Sequence, residues 1–337
     1  MRNYFVESKE YNPWKNLAIE KHLADKVQSG DLLFYLWQND RTVVIGRNQN
    51  ALRECKANLL EEEGGYLARR TTGGGAVYHD LGNLCFTFIA SPERYDLERQ
   101  MKVVQMACRK FGIETEFSGR NDIITKDGYK FSGNAFSVNK ICKIQHGTLM
   151  IDLNKEMLSR YLTPSEEKMK AKGVKSVKSR VCNLKDLNVD VTVEAMKVAL
   201  LEAFAEEYGE YERIGLVEDA DACTCAGSCG AGNMRICSLA TQEFQKDYEM
   251  FSSWDWRFGK SPECEVVHSK RFSWGEVQVH LKLKNLYIEE CKVYSDSLDV
   301  EFPDKLERAL MNQRFDMQNV HTDDEKISEV IKWLAQE

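Results

Sequence analysis

Runs of apolar residues predict strands in the first two thirds of the chain. Residues 41–47 form a short β-branched run near Gly46, and residues 84–90 (LCFTFIA) are apolar on both faces, as in a covered central strand. Residues 122–125, 129–138 and 147–153 predict three further strands. These segments indicate a domain that contains a β-sheet.

Apolar residues also recur at spacings of three and four, which predicts amphipathic helices between the strands. Residues 96–111 carry one such pattern and Gly112 closes it, while residues 193–204 carry another that ends at Gly209. Strand and helix patterns are therefore mixed up to about residue 215. This mixture predicts an α/β (α+β) fold.

The pattern changes at residues 217–237, which are small, glycine-rich and poor in large apolar groups, and which predict a linker or extended loop. Beyond it, Val277, Val279 and Leu281 alternate with polar residues, so we expect a β-hairpin with one solvated face. A helical pattern follows at residues 327–334. We therefore predict two domains, residues 1–246 (with the linker) and a smaller α+β domain at residues 247–337.

Composition and charge restrict the classes of function. The 337 residues include 46 Lys and Arg against 53 Asp and Glu, a net charge of −7, so no overall basic surface for nucleic acid is predicted. No apolar stretch approaches the roughly 18–20 residues that span a membrane, and the N-terminus lacks the apolar core of a signal peptide. We expect a soluble cytosolic protein whose eleven cysteines are mostly reduced thiols.

The stretch RRTTGGGAVYHDLGN at residues 69–83 is a candidate anion site. Consecutive glycines allow a ligand close to the backbone, and Arg69 and Arg70 add permanently charged guanidinium groups. The stretch lacks the lysine of a P-loop, and it leads into a strand rather than into the helix that follows a Rossmann glycine loop. The alternative is a glycine-rich hairpin turn with solvated arginines.

Lys130 is a second candidate, because it lies in a strand-like segment just before Gly133. A lysine that points inward there can act as a point charge on a phosphate or a polarised carbonyl, although an ordinary edge-strand lysine fits the same pattern. Asn121 and Asp122 are nearby and could be loop caps. Asp122 is also a candidate ligand for Mg²⁺, which prefers one or two carboxylates together with phosphate oxygens.

Two further segments have an unusual composition. Residues 168–180 (KMKAKGVKSVKSR) carry six basic residues and no acidic one, which fits either a solvated face or a loop that closes over a nucleotide. Cys223, Cys225, Cys229 and Cys237 lie within fifteen residues and could bind Zn²⁺ or an iron–sulfur cluster. Their spacing lacks paired C-x₂-C repeats, so a reduced, flexible loop is the preferred interpretation.

An ordered set of motifs resembles the bacterial lipoate–protein ligases of the A type, within the biotin/lipoate ligase family. The motifs are VVIGRNQN at 43–50, RRTTGGGAVYHDLGN at 69–83, GRNDI at 119–123, KFSGNA at 130–135, HGTL at 146–149 and GVKSVKSRVCNL at 173–184. WDWRFG at 254–259 and FSWGEVQVH at 272–280 resemble the accessory domain of that family. The likeness covers nearly the whole chain, and residues 217–237 depart from it.

The resemblance implies a class II biotin/lipoate ligase-type catalytic domain with mixed sheets, followed by a small α+β accessory domain that moves during the reaction cycle. It implies a reaction in which lipoate and Mg·ATP give lipoyl-AMP and pyrophosphate. A lysine of an acceptor protein then takes the lipoyl group and releases AMP. The implied acceptors are lipoyl domains of 2-oxo-acid dehydrogenase complexes and the glycine-cleavage H protein, and the implied state is a monomer.

The resemblance also implies roles for particular residues. Lys130 is the implied catalytic residue, placed between the acyl carbonyl and the phosphate. The implied binding residues for ATP and lipoyl-AMP are Arg70, Gly73, Gly74, Gly75, Ala76, Val77, Tyr78, Asn83, Asn121, Asp122 and Lys130, with a covering loop that contributes Gly173, Val174, Ser176, Val177 and Arg180. Val44 and Val77 are candidates for an apolar tunnel. Arg47, Asn83 and His146 are candidate supporting groups. His79 is interpreted as a hydrogen-bonded strand histidine rather than a catalytic group.

Four alternatives remain open from the sequence. A lipoyltransferase would perform only the second step on preformed lipoyl-AMP, and an octanoyltransferase would use a cysteine thioester. A biotin ligase is disfavoured, because no Gly-Arg-Gly-Arg-type loop occurs. A non-enzymatic metal- or redox-sensing module on an inactive ligase scaffold would depend on the four clustered cysteines.

Overall fold

The structure is a computed structural model that describes most of the chain. The described residues are 1–118, 121–138, 140–163, 181–218, 236–258, 266–284, 287–314, 317, 320 and 322–335.

Fifteen strands are present in the described part. They are β1 (Arg2–Glu7), β2 (Asp31–Trp37), β3 (Thr42–Ile45), β4 (Tyr66–Arg69), β5 (Val77–His79), β6 (Asn83–Ala90), β7 (Thr115–Ser118), β8 (Asp122–Thr125), β9 (Lys130–Val138), β10 (Lys143–Met150), β11 (Glu212–Val217), β12 (Ile236–Ser238), β13 (Val266–Phe272), β14 (Gly275–Lys284) and β15 (Tyr287–Ser295).

Helices lie between these strands and after them. Those in the described residues are α1 (Pro13–Lys26), α2 (Ala51–Glu54), α3 (Ala57–Glu62), α4 (Leu97–Arg109), α5 (Lys155–Tyr161), α6 (Val193–Tyr208), α7 (Gln242–Ser252), α8 (Trp254–Phe258), α9 (Phe302–Leu310) and α10 (Glu325–Leu334).

A nine-stranded mixed sheet forms the centre of the molecule, with the strand order β12-β11-β1-β2-β6-β10-β9-β8-β7. Strands β12, β11, β1 and β2 run parallel to one another. From β2 onwards each neighbouring pair is antiparallel. The structure therefore confirms the predicted α/β fold with mixed sheets.

Helices cover both faces of this sheet, which explains why its central strands are apolar throughout. On one face, α4 and α6 pack on the sheet, and the Phe34 ring stacks on those of Phe88 and Phe204 with centroids 4.6 and 5.1 Å apart. On the other face, α1 and α7 pack on the sheet. Burial of each large apolar side chain stabilises the fold by roughly 1.5–3 kcal/mol relative to its exposure. All eight residues of β6 are buried.

A small three-stranded sheet, in the order β4-β3-β5, carries the glycine-rich stretch. Strands β3 and β4 are parallel, and β5 pairs with β3 in the antiparallel direction. Residues 70–76 connect β4 to β5, and we call this connection the glycine loop. Residues from α2, α3 and α5 pack with β3 in a separate apolar cluster that supports this sheet. The loop is thus fixed at both ends.

The C-terminal part is an antiparallel sheet, β13-β14-β15, that packs against α9 and α10. Val277, Val279 and Leu281 face these helices, as the alternating pattern predicts. The expected solvated face is wrong in part, because Gln278 is buried and His280 is half-buried. On this polar side His280 lies near Arg53 of α2, and burial, followed by the charge of Arg53, lowers the pKa of the His280 ring. A contact with a segment so distant in the sequence cannot be predicted from the local alternation of apolar and polar residues in β14.

Two other boundaries differ from the sequence prediction. The strand predicted at 147–153 is β10, which begins earlier and ends at Met150. The predicted linker at 217–237 is wrong at both ends, because β11 ends at Val217 and β12 contains Cys237, and these strands pair in parallel. A strand of three residues is too short for a detectable period. The predicted domain division after residue 246 remains a proposal, and α7 runs across this position.

The described part of the chain contains no helix with the length and apolar character needed to cross a membrane.

Candidate active site

A cleft with a volume of about 150 Å³ lies where the small sheet meets the large one. Its lining comes from α1, β2, the strands around the glycine loop, and the paired strands β9 and β10. The lining residues are Leu17, Trp37, Val44, Arg70, Gly74, Gly75, Ala76, Val77, His79, Cys85, Asn121, Lys130, Gly133, Asn134, Ala135, His146, Gly147 and Thr148. The predicted anion loop and the predicted lysine therefore meet in one cavity.

Arg70 shapes the glycine loop from inside. Its buried guanidinium donates to the carbonyls of Val44, Gly73 and Gly75 over 3.2, 2.7 and 2.9 Å, and to the Thr72 hydroxyl over 3.1 Å. Burial lowers the pKa of Arg70 to about 10, so the group remains charged near pH 7. Its positive charge lies behind the loop, while its hydrogen bonds hold the loop backbone.

Arg69 has a similar structural role. It donates to the carbonyls of Gly46, Arg47 and Gln49, and also to those of Trp256 and Arg257 near the start of the C-terminal region. The alternative of a turn with solvated arginines is therefore wrong, because Arg69 and Arg70 are both buried. The planar guanidinium group holds its N–H donors in a fixed arrangement, so it can bind several backbone carbonyls at once.

Gly74 gives the loop its sharp bend. Its φ of +93° lies in the left-handed region, which side chains other than glycine rarely adopt. A Cβ atom at this position would also lie 2.9 Å from Arg70 Nη2. The Gly74 N–H donates to the Ser297 carbonyl over 3.1 Å. The bend thus connects the cleft to the segment that follows β15.

Lys130 supplies a positive charge at the more open end of the cleft. Its side chain is 37% exposed, and Nζ lies 2.7 Å from Asp122 Oδ1. The side chain crosses Gly133, where an added Cβ would come within 3.2 Å of Nζ. Glycine therefore leaves room for the ammonium group. The Lys130 carbonyl also accepts from the Cys182 N–H over 3.0 Å.

The opposite end of the cleft is apolar and closed. Leu17, Trp37, Val44 and Cys85 line it, and all four are buried. Burial raises the pKa of the Cys85 thiol well above its usual value. The cleft thus joins a dry apolar end to a charged end, which suits an amphipathic ligand with an anionic head.

A buried hydrogen-bonded chain supports the base of the cleft. Thr72 Oγ1 lies 2.8 Å from His146 Nε2, and His146 Nδ1 lies 2.9 Å from Glu20 Oε1. The Thr87 hydroxyl donates to the same Glu20 oxygen over 2.7 Å, and it accepts from Trp37 Nε1 over 3.0 Å. This chain fixes the Trp37 ring and the Thr72 end of the glycine loop through one buried carboxylate.

Comparison with known proteins identifies the family. Residues 12–205 match the family described as lipoyl protein ligase A/B catalytic domain, and residues 261–332 match the bacterial lipoate protein ligase C-terminus. The chain belongs to the lipoate–protein ligase family. It is 39% identical to the lipoate-protein ligase A of Psychrobacter cryohalolentis over 323 residues, which are 95% of this chain and 91% of that protein. The chain is therefore an enzyme of the ligase class.

Solved structures agree with this placement. P. falciparum LipL1 in complex with lipoate is 28% identical, with a TM-score of 0.78, and the match covers 99% of this chain and 100% of that one. A structure of the bipartite lipoate protein ligase of Thermoplasma acidophilum and its E2 lipoyl domain is 26% identical, with a TM-score of 0.60. That match covers 79% of this chain and 98% of the other. The class II ligase-type fold with a C-terminal domain is thus confirmed.

Of the eleven residues predicted to bind ATP and lipoyl-AMP, seven line the cleft of the ligase. The lining includes Arg70, Gly74, Gly75, Ala76, Val77, Asn121 and Lys130. Gly73, Tyr78, Asn83 and Asp122 lie outside this lining, and each has another contact. The Gly73 carbonyl accepts from Arg70, the Tyr78 ring packs near Tyr161, Asn83 donates to Cys85 Sγ, and Asp122 pairs with Lys130.

Other predicted residues lie outside the described part of the ligase. They are Gly173, Val174, Ser176, Val177, Arg180, Cys223, Cys225 and Cys229. Cys237 is described, and it is buried in the apolar cluster between the large sheet and α1. Burial raises the pKa of its thiol to about 11. Among the described residues, no group of three or more His, Cys, Asp and Glu side chains could hold a metal ion.

Sequence reasoning missed several residues of the ligase cleft. Leu17 and Glu20 are three positions apart on α1, and Trp37 ends β2. Each looks like an ordinary core position, because a helix face or strand that lines a cavity has the same apolar pattern as one that packs on protein. Helix α1 was not predicted from the sequence, so Glu20 could not be recognised as an acidic residue on a buried helix face.

Proposed function

We propose that this ligase activates lipoate with ATP and transfers the lipoyl group to a lysine of an acceptor protein. The observation that carries the proposal is the cleft itself, in which a closed apolar end joins an open end that contains Lys130. An aliphatic acid with a compact ring would place its tail among Leu17, Trp37 and Val44. Its carboxylate would then lie near the Lys130 ammonium. The relative solved with lipoate supports this choice of substrate.

In the first step, the lipoate carboxylate would attack the α-phosphate of ATP and form lipoyl-AMP with loss of pyrophosphate. Gly75 and Ala76 provide backbone next to the reacting groups, and Lys130 provides a fixed positive charge. Negative charge develops on the phosphate oxygens during this step. A preorganised ammonium stabilises such charge without reorganisation at the moment of reaction.

Asp122 fits a site for Mg²⁺ that is completed by the phosphate oxygens. The carboxylate is partly exposed and lies beside Lys130. Mg²⁺ is usually held by one or two carboxylates together with substrate phosphates. When bound, the ion would neutralise charge on the departing pyrophosphate. Asp122 would hold it at the open end, and Lys130 would then be free to contact the acyl phosphate.

In the second step, the amine of an acceptor lysine would attack the acyl carbonyl and release AMP. Lys130 lies at the open end, where an acceptor side chain can enter, and it can stabilise the oxyanion that forms. We propose lipoyl domains of 2-oxo-acid dehydrogenase complexes and the glycine-cleavage H protein as acceptors. A relative solved with its E2 lipoyl domain supports the first class. We also propose that the ligase acts as a cytoplasmic monomer.

The segment that contributes Gly173, Val174, Ser176, Val177 and Arg180 is proposed to cover the adenylate. The supporting observation lies just beyond it, where Val181 forms a parallel bridge to Lys130. The first described residue after the basic segment therefore lies beside the proposed catalytic lysine. A cover at this place would exclude water from the mixed anhydride.

One alternative, a thioester-forming octanoyltransferase, is disfavoured by the cysteine in the cleft. Cys85 is fully buried and its thiol pKa is raised, whereas a nucleophilic cysteine needs an accessible thiolate. The second alternative is a lipoyltransferase that uses only preformed lipoyl-AMP. It would not catalyse the first half-reaction, in which lipoate and ATP give lipoyl-AMP and pyrophosphate.

The proposal is tested by mixing the enzyme with lipoate, Mg·ATP and an apo lipoyl domain, and by following the mass of the acceptor. We expect a gain of one lipoyl group, and release of pyrophosphate even without the acceptor. Transfer from synthetic lipoyl-AMP without any pyrophosphate release from lipoate and ATP would identify a lipoyltransferase instead. An unchanged acceptor mass with both donors, beside an active control ligase, would reject lipoyl transfer altogether.

A further inference from the structure

His79 places a polar atom at the apolar end of the cleft. It ends β5, is 3% exposed and belongs to the cleft lining. Its ring lies 6.3 Å from that of Trp37, in an edge-to-face arrangement. Its Nδ1 is 3.6 Å from Cys85 Sγ. The imidazole therefore contacts the same closed space that would receive the tail of the substrate.

Neighbouring amides determine which ring nitrogen of His79 carries the proton. Asn16 Nδ2 donates to the carbonyls of Glu10 and Gln38 over 2.9 and 2.8 Å, which fixes the orientation of the Asn16 amide. The same Nδ2 donates to Asn39 Oδ1 over 3.0 Å, so the other end of the Asn39 amide is the donor. Asn39 Nδ2 lies 3.2 Å from His79 Nδ1. Nδ1 is therefore an acceptor, and the proton is on Nε2.

The His79 ring is also neutral near pH 7. Burial, followed by the nearby Arg70 and His146, lowers its pKa to about 3. Its Nε2 is buried and has no hydrogen-bond partner among the described residues. A buried N–H donor without an acceptor is unfavourable. The apolar side chains that line this end, Leu17, Trp37 and Val44, have no acceptor atom to offer it.

We propose that His79 is a specificity-determining residue that donates its Nε2–H to a sulfur atom of the substrate's dithiolane ring. This inference rests on the proposed function and adds the reason why a sulfur-containing acid would be preferred to a purely hydrocarbon acid of the same shape. A ring sulfur is a weak acceptor, whereas a methylene group leaves the donor unpaired. A site built around a polar group discriminates against analogues that cannot pair with it.

The test compares lipoate with 5-cyclopentylpentanoate, in which two methylene groups replace the two sulfur atoms of the ring. The wild-type enzyme should prefer lipoate by about tenfold in kcat/KM for pyrophosphate release, equivalent to about 1.4 kcal/mol. Calorimetric binding of the two acids without ATP should show the same preference. Equal kcat/KM and equal affinity for the two acids would overturn the inference.

Two substitutions at His79 distinguish the effect of its N–H donor from the effect of its ring volume. His79→Phe keeps a ring but removes the donor, so the preference for lipoate should disappear. His79→Gln keeps a side-chain N–H, so part of the preference should return. His22→Phe is the matched control, because His22 is also buried with an unpaired Nε2 but packs against Phe244, outside the cleft lining. It should retain the wild-type preference.

The results distinguish this inference from the proposed function. If neither acid releases pyrophosphate, the proposed activity fails, and calorimetry of the two acids still decides the role of His79. If His79→Phe keeps the full preference for lipoate, the inference is rejected although the ligase activity stands. If that variant does not fold, the role of His79 is decided by comparing the two acids with the wild-type enzyme and with His79→Gln.

Discussion

Three cationic or titratable side chains in the cleft differ in their roles because they differ in exposure. Lys130 is partly exposed and close to Asp122, so its charge is available to a ligand at low desolvation cost. Arg70 is charged but buried, and it holds loop carbonyls. His79 is buried without a countercharge and is neutral. Of these three described side chains, only Lys130 has the position and accessibility expected of a catalytic cation.

Replacement of Lys130 by alanine should therefore impair both half-reactions while the fold is retained. Loss of one preorganised donor typically lowers kcat by about 10²–10³-fold. Pyrophosphate release from lipoate and ATP measures the first step, and transfer from synthetic lipoyl-AMP to an apo lipoyl domain measures the second. Lys126→Ala is the control, because Lys126 is exposed on the turn between β8 and β9. Full activity of Lys130→Ala in both assays would contradict the assignment.

The neutral state of His79 also predicts how folding stability depends on pH. Its pKa is about 3 in the folded protein, against 6.5 for an ordinary histidine. Between these values the unfolded chain binds a proton that the folded protein does not, so stability is lost as the pH falls from about 6.5 towards 3. For this group alone, the loss at pH 5 relative to pH 7.5 is about 2 kcal/mol.

Urea denaturation of the wild type and of His79→Phe at pH 7.5 and pH 5 measures this contribution. The wild type should lose about 2 kcal/mol more of its unfolding free energy than the variant does. Other groups titrate in both proteins, so the difference between the two losses isolates His79. The same loss in both proteins would show that His79 is protonated in the folded state at pH 5.

At the scale of elements, the glycine loop is a backbone structure held in place by side chains. It connects β4 to β5, and Arg70 links its carbonyls to that of Val44 on the neighbouring strand β3. The adjacent residues Gly74 and Gly75 differ in whether the backbone requires a glycine. Gly74 requires a positive φ, whereas a Cβ at Gly75 would meet no atom of the described residues within 4 Å.

This contrast predicts different effects on stability for two adjacent substitutions. Gly74→Ala should destabilise the protein by about 1–3 kcal/mol, because it places a side chain at a positive φ and against the Arg70 guanidinium. Gly75→Ala should leave the unfolding free energy unchanged within about 0.5 kcal/mol. Thermal and urea denaturation of both variants measure the difference. Equal stability of the two would mean that the loop relaxes without cost.

Some of the longer elements were predictable from local patterns, whereas the helices α1 and α7 and the strand β2 were not predicted although they are long. The helix α4 and the strand β6 follow from local patterns, because each buries its apolar positions against the core. Strand β12 has three residues and shows no period. Gln278 is buried although it lies at a polar position of the alternation, and the local pattern does not encode this burial.

The candidate site shows a similar limit. Lys130 and the glycine loop were recognisable because their residue types suit anionic groups. The apolar end was only partly recognisable. Val44 and Val77 were candidates, whereas Leu17 and Trp37 are indistinguishable from core residues until the cavity between them is seen. The protonation state of His79 depends on amides that lie far from it in the sequence.

At the scale of the whole molecule, the end of β15 and the segment after it are hydrogen-bonded to the N-terminal part of the chain, including the glycine loop. Asn48 Nδ2 donates to the Val300 carbonyl over 2.8 Å, and the Ser295 N–H donates to the Asn48 carbonyl over 2.7 Å. The Gly74 N–H donates to the Ser297 carbonyl. This last bond occupies a loop N–H that borders the cleft. Separation of the two parts would release that donor towards a bound anion.

A substitution at Gly73 can disturb the contact between the glycine loop and the segment after β15 without straining the loop backbone. Its φ lies outside the positive range, so alanine is compatible with the local backbone. An added Cβ would clash with the Ser297 carbonyl and with Leu298. The Gly73→Ala substitution should therefore push the segment after β15 away from the loop and weaken the hydrogen bonds made by Ser295 and Gly74.

Hydrogen–deuterium exchange of these two amides measures the separation. Overpacking typically costs about 1–3 kcal/mol, so their exchange in Gly73→Ala should accelerate by about 5-fold to 150-fold. Amides in the core of β6 should keep the wild-type rate, because the strain is confined to the contact. Gly75→Ala is the control, since an added methyl group there meets no described atom and should leave both rates unchanged. Wild-type exchange in Gly73→Ala would mean that the segment after β15 does not pack against the glycine loop in solution.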